Sequence, residues 1–148
     1  MIKGKFPALA VAVALALAGA TAYGEGNGEG DSVKGEKIFK KCSICHTIEP
    51  DKKKPLGPNL LGVTGRQAGT ADFKYSGAMI AAGEKGLVWG QENIAEYVAD
   101  PRAFLREYLD DEKARTKMSF KLKKEQDRED VAAYLESLSE DPESLSEE

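Results

Sequence analysis

The chain has 148 residues, 31% of them charged and 41% hydrophobic, with a formal charge of −4. That is enough for one small domain with a modest core. The near balance of 21 Lys and Arg against 25 Asp and Glu leaves no basic footprint for nucleic acid.

Lys3 and Lys5 open the chain and an uncharged run rich in Ala, Leu and Val follows from Pro7 to Ala18, with small residues at Ala20-Thr21-Ala22. This pattern predicts a signal peptide over residues 1–22, cleaved near Ala22, and therefore export. The apolar run is shorter than the roughly 20 residues a spanning helix needs; a retained leader would instead tether the protein to the membrane. Removing the leader's two lysines leaves 19 basic against 25 acidic residues, and five of those acids lie between Glu140 and Glu148. Residues 23–31 ("YGEGNGEGD") read as a flexible Gly-rich arm, 32–138 as the domain, and 139–148 as an acidic, disordered tail.

Asp31 or Ser32 can cap a first helix whose apolar positions Val33, Ile38, Phe39 and Cys42 fall near one face. Gly35 inside it is unfavourable by about 1 kcal/mol against Ala, which hints at close packing by another element. Thr47 to Thr70 is rich in Pro and Gly and reads as loop. Ser76 can cap a short amphipathic helix through Ala82. Gln91 to Ala99 is a further helix, and Pro101 starts another turn through Tyr108. Asp110 to Lys123 is charged and loop-like. Val131, Tyr134, Leu135 and Leu138 mark the last helix, behind a charged turn from Glu125 to Asp130. The fold class is all-α, four to five short helices joined by long loops. Loops of such length in a small domain call for something large in the middle.

Both cysteines and the single histidine lie together in Cys42-Ser43-Ile44-Cys45-His46. A thioredoxin-like dithiol would need surrounding strands, and a zinc site about four ligands where the chain has three Cys or His in all. A lone disulfide would close a very small loop and leave His46 without a role. Cys-x-x-Cys-His is also the attachment sequence of a c-type haem: two thioethers and an axial imidazole. With no second histidine, the other axial position is open or belongs to a thioether. Met79 lies on the short helix, where Met usually packs in the core. Met118 stands alone among polar residues in "TKMSF", which favours it as the ligand. An open position would instead suggest a haem enzyme or gas sensor.

The stretches "GEKIFKKCSICH", "GPNLLGVTGRQAG", "FKYS", "WGQENIAEYVADP", "TKMSF" and "EDVAAYLESL" occur in this order from Val33 to Leu138. In them the chain resembles a class I cytochrome c. The long segment between Pro101 and Thr116 makes it most similar to the larger bacterial form, cytochrome c₂. The resemblance implies the class I cytochrome c fold around one covalent haem c, attached through Cys42 and Cys45, with His46 and Met118 as axial ligands. It implies that the Pro58 carbonyl accepts the other imidazole N–H of His46. Arg66, Tyr75 and Trp89 would hydrogen-bond a buried haem propionate, and Tyr97 would contact the Met sulfur. Gly35 and Tyr134 would mark the crossing of the first and last helices. Lysines 40, 41, 117, 121, 123 and 124 would ring the haem edge.

The function implied is that of a monomeric periplasmic electron carrier and not an enzyme. By the same resemblance its donor would be the cytochrome bc₁ complex, and its acceptor a photosynthetic reaction centre or terminal oxidase. Docking would be transient and electrostatic, with no nucleic-acid partner.

Overall fold

The computed structural model describes residues 30–140. The predicted leader, residues 23–29 of the arm and residues 141–148 of the tail lie outside them. Among the described residues there are five helices and no strand: α1 (Ser32–Phe39), α2 (Gly77–Glu84), α3 (Gln91–Ala99), α4 (Pro101–Leu109) and α5 (Glu125–Glu140). None of these helices is long and apolar enough to cross a membrane.

The starts of the helices follow from local chemistry. Asp31 accepts the backbone N–H of Lys34 at 3.1 Å, and Ser76 that of Met79 at 3.3 Å. Asp100 accepts that of Ala103 at 3.1 Å, with Pro101 in the first turn. Each satisfies a donor the helix itself leaves open. Gly90 opens α3 without a side chain, and Asn93 serves instead, accepting the Gly90 N–H at 2.8 Å.

Three details differ from the sequence reading. Val33 is exposed, and Cys42 lies beyond the end of α1 in a tight turn, so the buried face of that helix is built on Gly35 and Phe39. Glu125 to Asp130 is no turn but the first part of α5. Its acids suit a helix N-terminus, and Asp130 is buried, accepting the Asp31 N–H at 2.8 Å and a Gln126 amide N–H at 2.9 Å. Helix α2 is not amphipathic. Apolar residues stand all round it up to Gly83, with Glu84 its one charge, and Gly83 brings its backbone against Ala68.

The main crossing is α1 on α5. A Cβ at Gly35 would lie 2.0 Å from the Asp130 carbonyl oxygen and 2.7 Å from the Tyr134 Cβ, so only glycine permits the approach. Phe39 meets Tyr134 with ring centroids 5.7 Å apart. Gly30 is equally tight against Glu129, so the last residues of the arm are packed on α5. Helix α3 packs beside this pair. Together they enclose one apolar cluster containing Phe39, Ile94, Val131 and Leu135. A second, around Leu105, Ala82 and Tyr97, joins α2, α3 and α4.

Gly35→Ala should lower stability by about 2–3 kcal/mol, because the added carbon meets backbone that has no rotamer to escape into. The check is a urea midpoint that falls at unchanged m-value; an unmoved midpoint would mean the crossing is looser than described.

Candidate haem site

Past the end of α1 the chain coils tightly. The Cys42 and Ser43 N–H groups donate to the Phe39 carbonyl, and the Cys45 and His46 N–H groups to the Cys42 carbonyl. This turn brings two thiols and an imidazole together at the wall of a hollow of about 630 Å³. Most of that wall is apolar, as in pockets that bury organic ligands. Loops supply the remainder: Leu56 to Pro58, Phe73 to Ser76, and Thr116 to Phe120, with Met79 from α2 and Tyr97 from α3.

His46 has its state fixed by its neighbours. Nδ1 lies 2.9 Å from the Pro58 carbonyl oxygen. A carbonyl only accepts, so Nδ1 carries the proton and the lone pair is left on Nε2. Burial lowers the imidazole's pKa, Pro58 opposes the shift and Lys54 adds to it. The ring is therefore neutral, as a metal ligand must be. Gly57 makes room for it, since a Cβ there would stand 2.6 Å from the ring carbon Cε1.

Cys42 and Cys45 are not joined in a disulfide. Burial pushes Cys42 up to about 11, against the lowered values of a reactive dithiol.

Met118 is half-buried in the loop between α4 and α5 and lines the same hollow. Several contacts hold that loop. The Tyr97 hydroxyl and Thr116 Oγ1 are 3.1 Å apart, and Thr116 Oγ1 also accepts the Met118 N–H at 3.2 Å. The Leu122 N–H donates to the Val98 carbonyl at 2.8 Å. Lys121 pairs with Asp100 at 2.5 Å, and Lys117 donates to the Lys74 carbonyl.

The structure thus brings together Cys42, Cys45, His46, Pro58, Tyr75, Tyr97 and Met118 in one lining. Arg66 and Trp89 stand outside it. A backbone hydrogen bond joins them, Trp89 N–H donating to the Arg66 carbonyl at 2.9 Å, and Gly65 N–H returns one to the Trp89 carbonyl at 2.8 Å. The Arg66 guanidinium donates to the carbonyls of Asn59, at 2.8 Å, and Leu61. Burial raises the pKa of the Tyr75 phenol, and Arg66 is near enough to oppose the shift. Met79, read from the sequence as core, is both core and lining.

Two residues escaped the sequence reading. Thr116 joins Tyr97 to the Met118 backbone. The Asn59 amide donates to the carbonyls of Glu49 and Lys52 and accepts the Leu61 N–H, tying the loop after the cysteines. A hydroxyl two residues before Met118 and an Asn beside a Pro were the only signals, and both are commonplace.

An apolar hollow of ligand size, with two thiols, a neutral imidazole and a thioether in its walls, fits a covalently attached haem. Comparisons with known proteins agree. A family model for cytochrome c matches residues 32–139. Cytochrome c-551 of Roseobacter denitrificans is 57% identical over 111 residues, covering 71% of this chain and 78% of its own. Cytochrome c2 iso-1 of Rhodospirillum centenum is 54% identical, covering 74% and 97%. The solved structure of cytochrome c2 from Rhodospirillum centenum superposes with a TM-score of 0.70 at 53% identity, covering 74% of this chain and 99% of that one.

The chain belongs to the cytochrome c family, with the all-α class I fold. Within that class it resembles the bacterial cytochromes c2. It is an electron-transfer haem protein, not an enzyme, and the family implies haem c bound covalently.

The exposed pair of Lys121 and Asp100 has a pH signature. The Lys121 ammonium, and then the Ala103 N–H, hold the Asp100 carboxyl below the ordinary 3.8. A depressed carboxyl stabilises the fold above its unfolded value and loses that contribution as pH falls through the folded one. Asp100→Asn should flatten acid unfolding below pH 3.8, read as urea midpoints on either side of that value. Parallel curves for the two proteins would show that this pair does not couple to folding.

Proposed function

We propose that the protein is a periplasmic carrier of single electrons, with Cys42 and Cys45 holding haem c and His46 and Met118 as its axial ligands. The observation that carries this reading is the joint lining of one apolar hollow by His46 and Met118, with the His46 Nδ1–H engaged by the Pro58 carbonyl and Nε2 left unprotonated. The haem, when bound, supplies the one-electron chemistry, and the protein tunes it. The Pro58 carbonyl orients the imidazole and raises its basicity. The Met118 thioether would be the second protein ligand and would favour the ferrous state. Tyr97, through Thr116, holds the Met118 loop. Tyr75 is available to a propionate from the lining; Arg66 and Trp89 would act from behind it, Arg66 by bracing the loop carbonyls.

Docking would use the mouth of the hollow. Ile44 and Leu56 there are 74% and 66% exposed and Phe120 41%, an unusual grouping for a polar surface. Lys41 and Lys117 border the same opening. An apolar centre with a lysine border suits a partner presenting carboxylates, with encounter fast at low salt and slowed as salt rises. By family resemblance the donor is the cytochrome bc₁ complex and the acceptor a photosynthetic reaction centre or terminal oxidase, met by a monomer.

Two measurements test this. The ferric protein should show the weak near-infrared iron–sulfur band, and Met118→Ala should abolish it and let carbon monoxide bind the reduced form. A band that survives in the variant would remove Met118 from the iron; carbon monoxide binding by the unaltered protein would favour a gas sensor instead. Export predicts a mature chain that begins near Tyr23, read by intact mass. A full-length mass would point to a membrane tether.

A further inference from the structure

Met79 is the second thioether of the hollow, and ligation gives it no task. It is only 6% exposed and belongs at once to the lining and to the cluster that packs against Met118. Its place is well defined. Ser76 Oγ accepts its N–H, and Gly69 approaches so closely that a Cβ would touch the Met79 carbonyl at 3.1 Å. Its neighbours in the helix, Ala78, Ala82 and Gly83, carry no side chain that could hydrogen-bond in its place.

Around Met79 in the lining stand Tyr75, Tyr97 and Thr116. The Tyr97 hydroxyl and Thr116 Oγ1 are engaged with each other. An ordered water needs two to four polar partners and room for itself. Hydroxyl partners are therefore at hand, those of Tyr75, Tyr97 and Thr116, but Met79 fills the room between them with four apolar heavy atoms. Burial also raises the pKa of both phenols, Tyr97 and Tyr75, consistent with poor solvation there.

We infer that Met79 is a tuning residue, a dry plug beside Met118 that keeps water from the iron's surroundings and so holds the reduction potential up. The inference rests on the haem reading above. Its physics is elementary. The oxidised centre carries one more positive charge than the reduced one, and a charge without water or dipoles around it is disfavoured. An apolar shell therefore favours the reduced state. Asn at this position is shorter and brings its own donor and acceptor, so it makes both the space and the partners a water needs.

The experiment is a spectroelectrochemical titration of the holoprotein carrying Met79→Leu or Met79→Asn, with the near-infrared iron–sulfur band recorded on the same samples. Met79→Leu should leave the potential in place. Met79→Asn should keep the band and shift the equilibrium toward the oxidised form about tenfold, equivalent to about 59 mV for one electron. An unmoved potential in Met79→Asn, or an equal fall in both variants, would overturn the inference while leaving the haem reading intact. Loss of the band in both variants would instead make Met79 the ligand and overturn the reading on which the inference stands. Met79→Ser, which is also shorter and brings a hydroxyl, carries the same test if the Asn variant does not fold.

Discussion

Everything in this protein hangs from the place where α1 lies on α5 with no side chain between them. At Gly35 the two backbones are in contact, and that contact sets where α1 ends and in which direction the chain leaves it. The turn that follows is held by hydrogen bonds to Phe39 and Cys42, so the cysteines and His46 inherit their position from the crossing. A looser crossing would move the whole attachment sequence as one piece. Asp130 reinforces the arrangement from α5, because its buried carboxylate takes the N–H of Asp31 just before α1 begins.

The other wall is made of loops, which have no ladder of their own to keep them in place. Side chains do that work. Asn59 and Arg66 gather the carbonyls of the loop after the cysteines, and Thr116 fastens the Met118 loop to Tyr97 on α3. Short backbone pairings between residues 66–68 and 87–89 fasten the loop before α2 to the one after it. Each bond is worth roughly 1 kcal/mol net, too little to order so much chain. Loops of this length in a compact domain make sense when a large apolar body fills the space between them.

How much of this was legible in the residues follows from the range of each interaction. The starts of α1, α2 and α4 are decided within three residues, so Asp31 or Ser32, Ser76 and Pro101 mark them in the sequence, while the capping role of Asp100 emerges only in the structure. The charged opening of α5 reads as a turn in the sequence because the burial of Asp130 depends on a residue 99 positions away, Asp31. Val33 looked like part of the buried face because the helical period places it there; the glycine contact rotated that face away. The donor set of the site was legible as a motif, since Cys42, Cys45 and His46 are neighbours in sequence. The supporting set was not, because Thr116 and Asn59 have no chemistry that singles them out until the loops close around them.

Carrying an electron asks for two things that pull apart: a centre shielded from water and an edge open to a partner. This fold separates them by segment. The burial that keeps His46 neutral and raises the phenols of Tyr75 and Tyr97 acts inside the hollow, where an unbalanced charge is least welcome. The exposed residues Ile44, Leu56 and Phe120, with Lys41 and Lys117, stand at its mouth. Changes to the inner wall should alter the equilibrium between redox states and leave encounter rates alone, while changes at the mouth should do the reverse. Met118 belongs to both regions, since its thioether faces the hollow and its loop carries Lys117 and Phe120. A partner that grips Lys117 and Phe120 at the mouth therefore pulls on the same loop that lines the hollow.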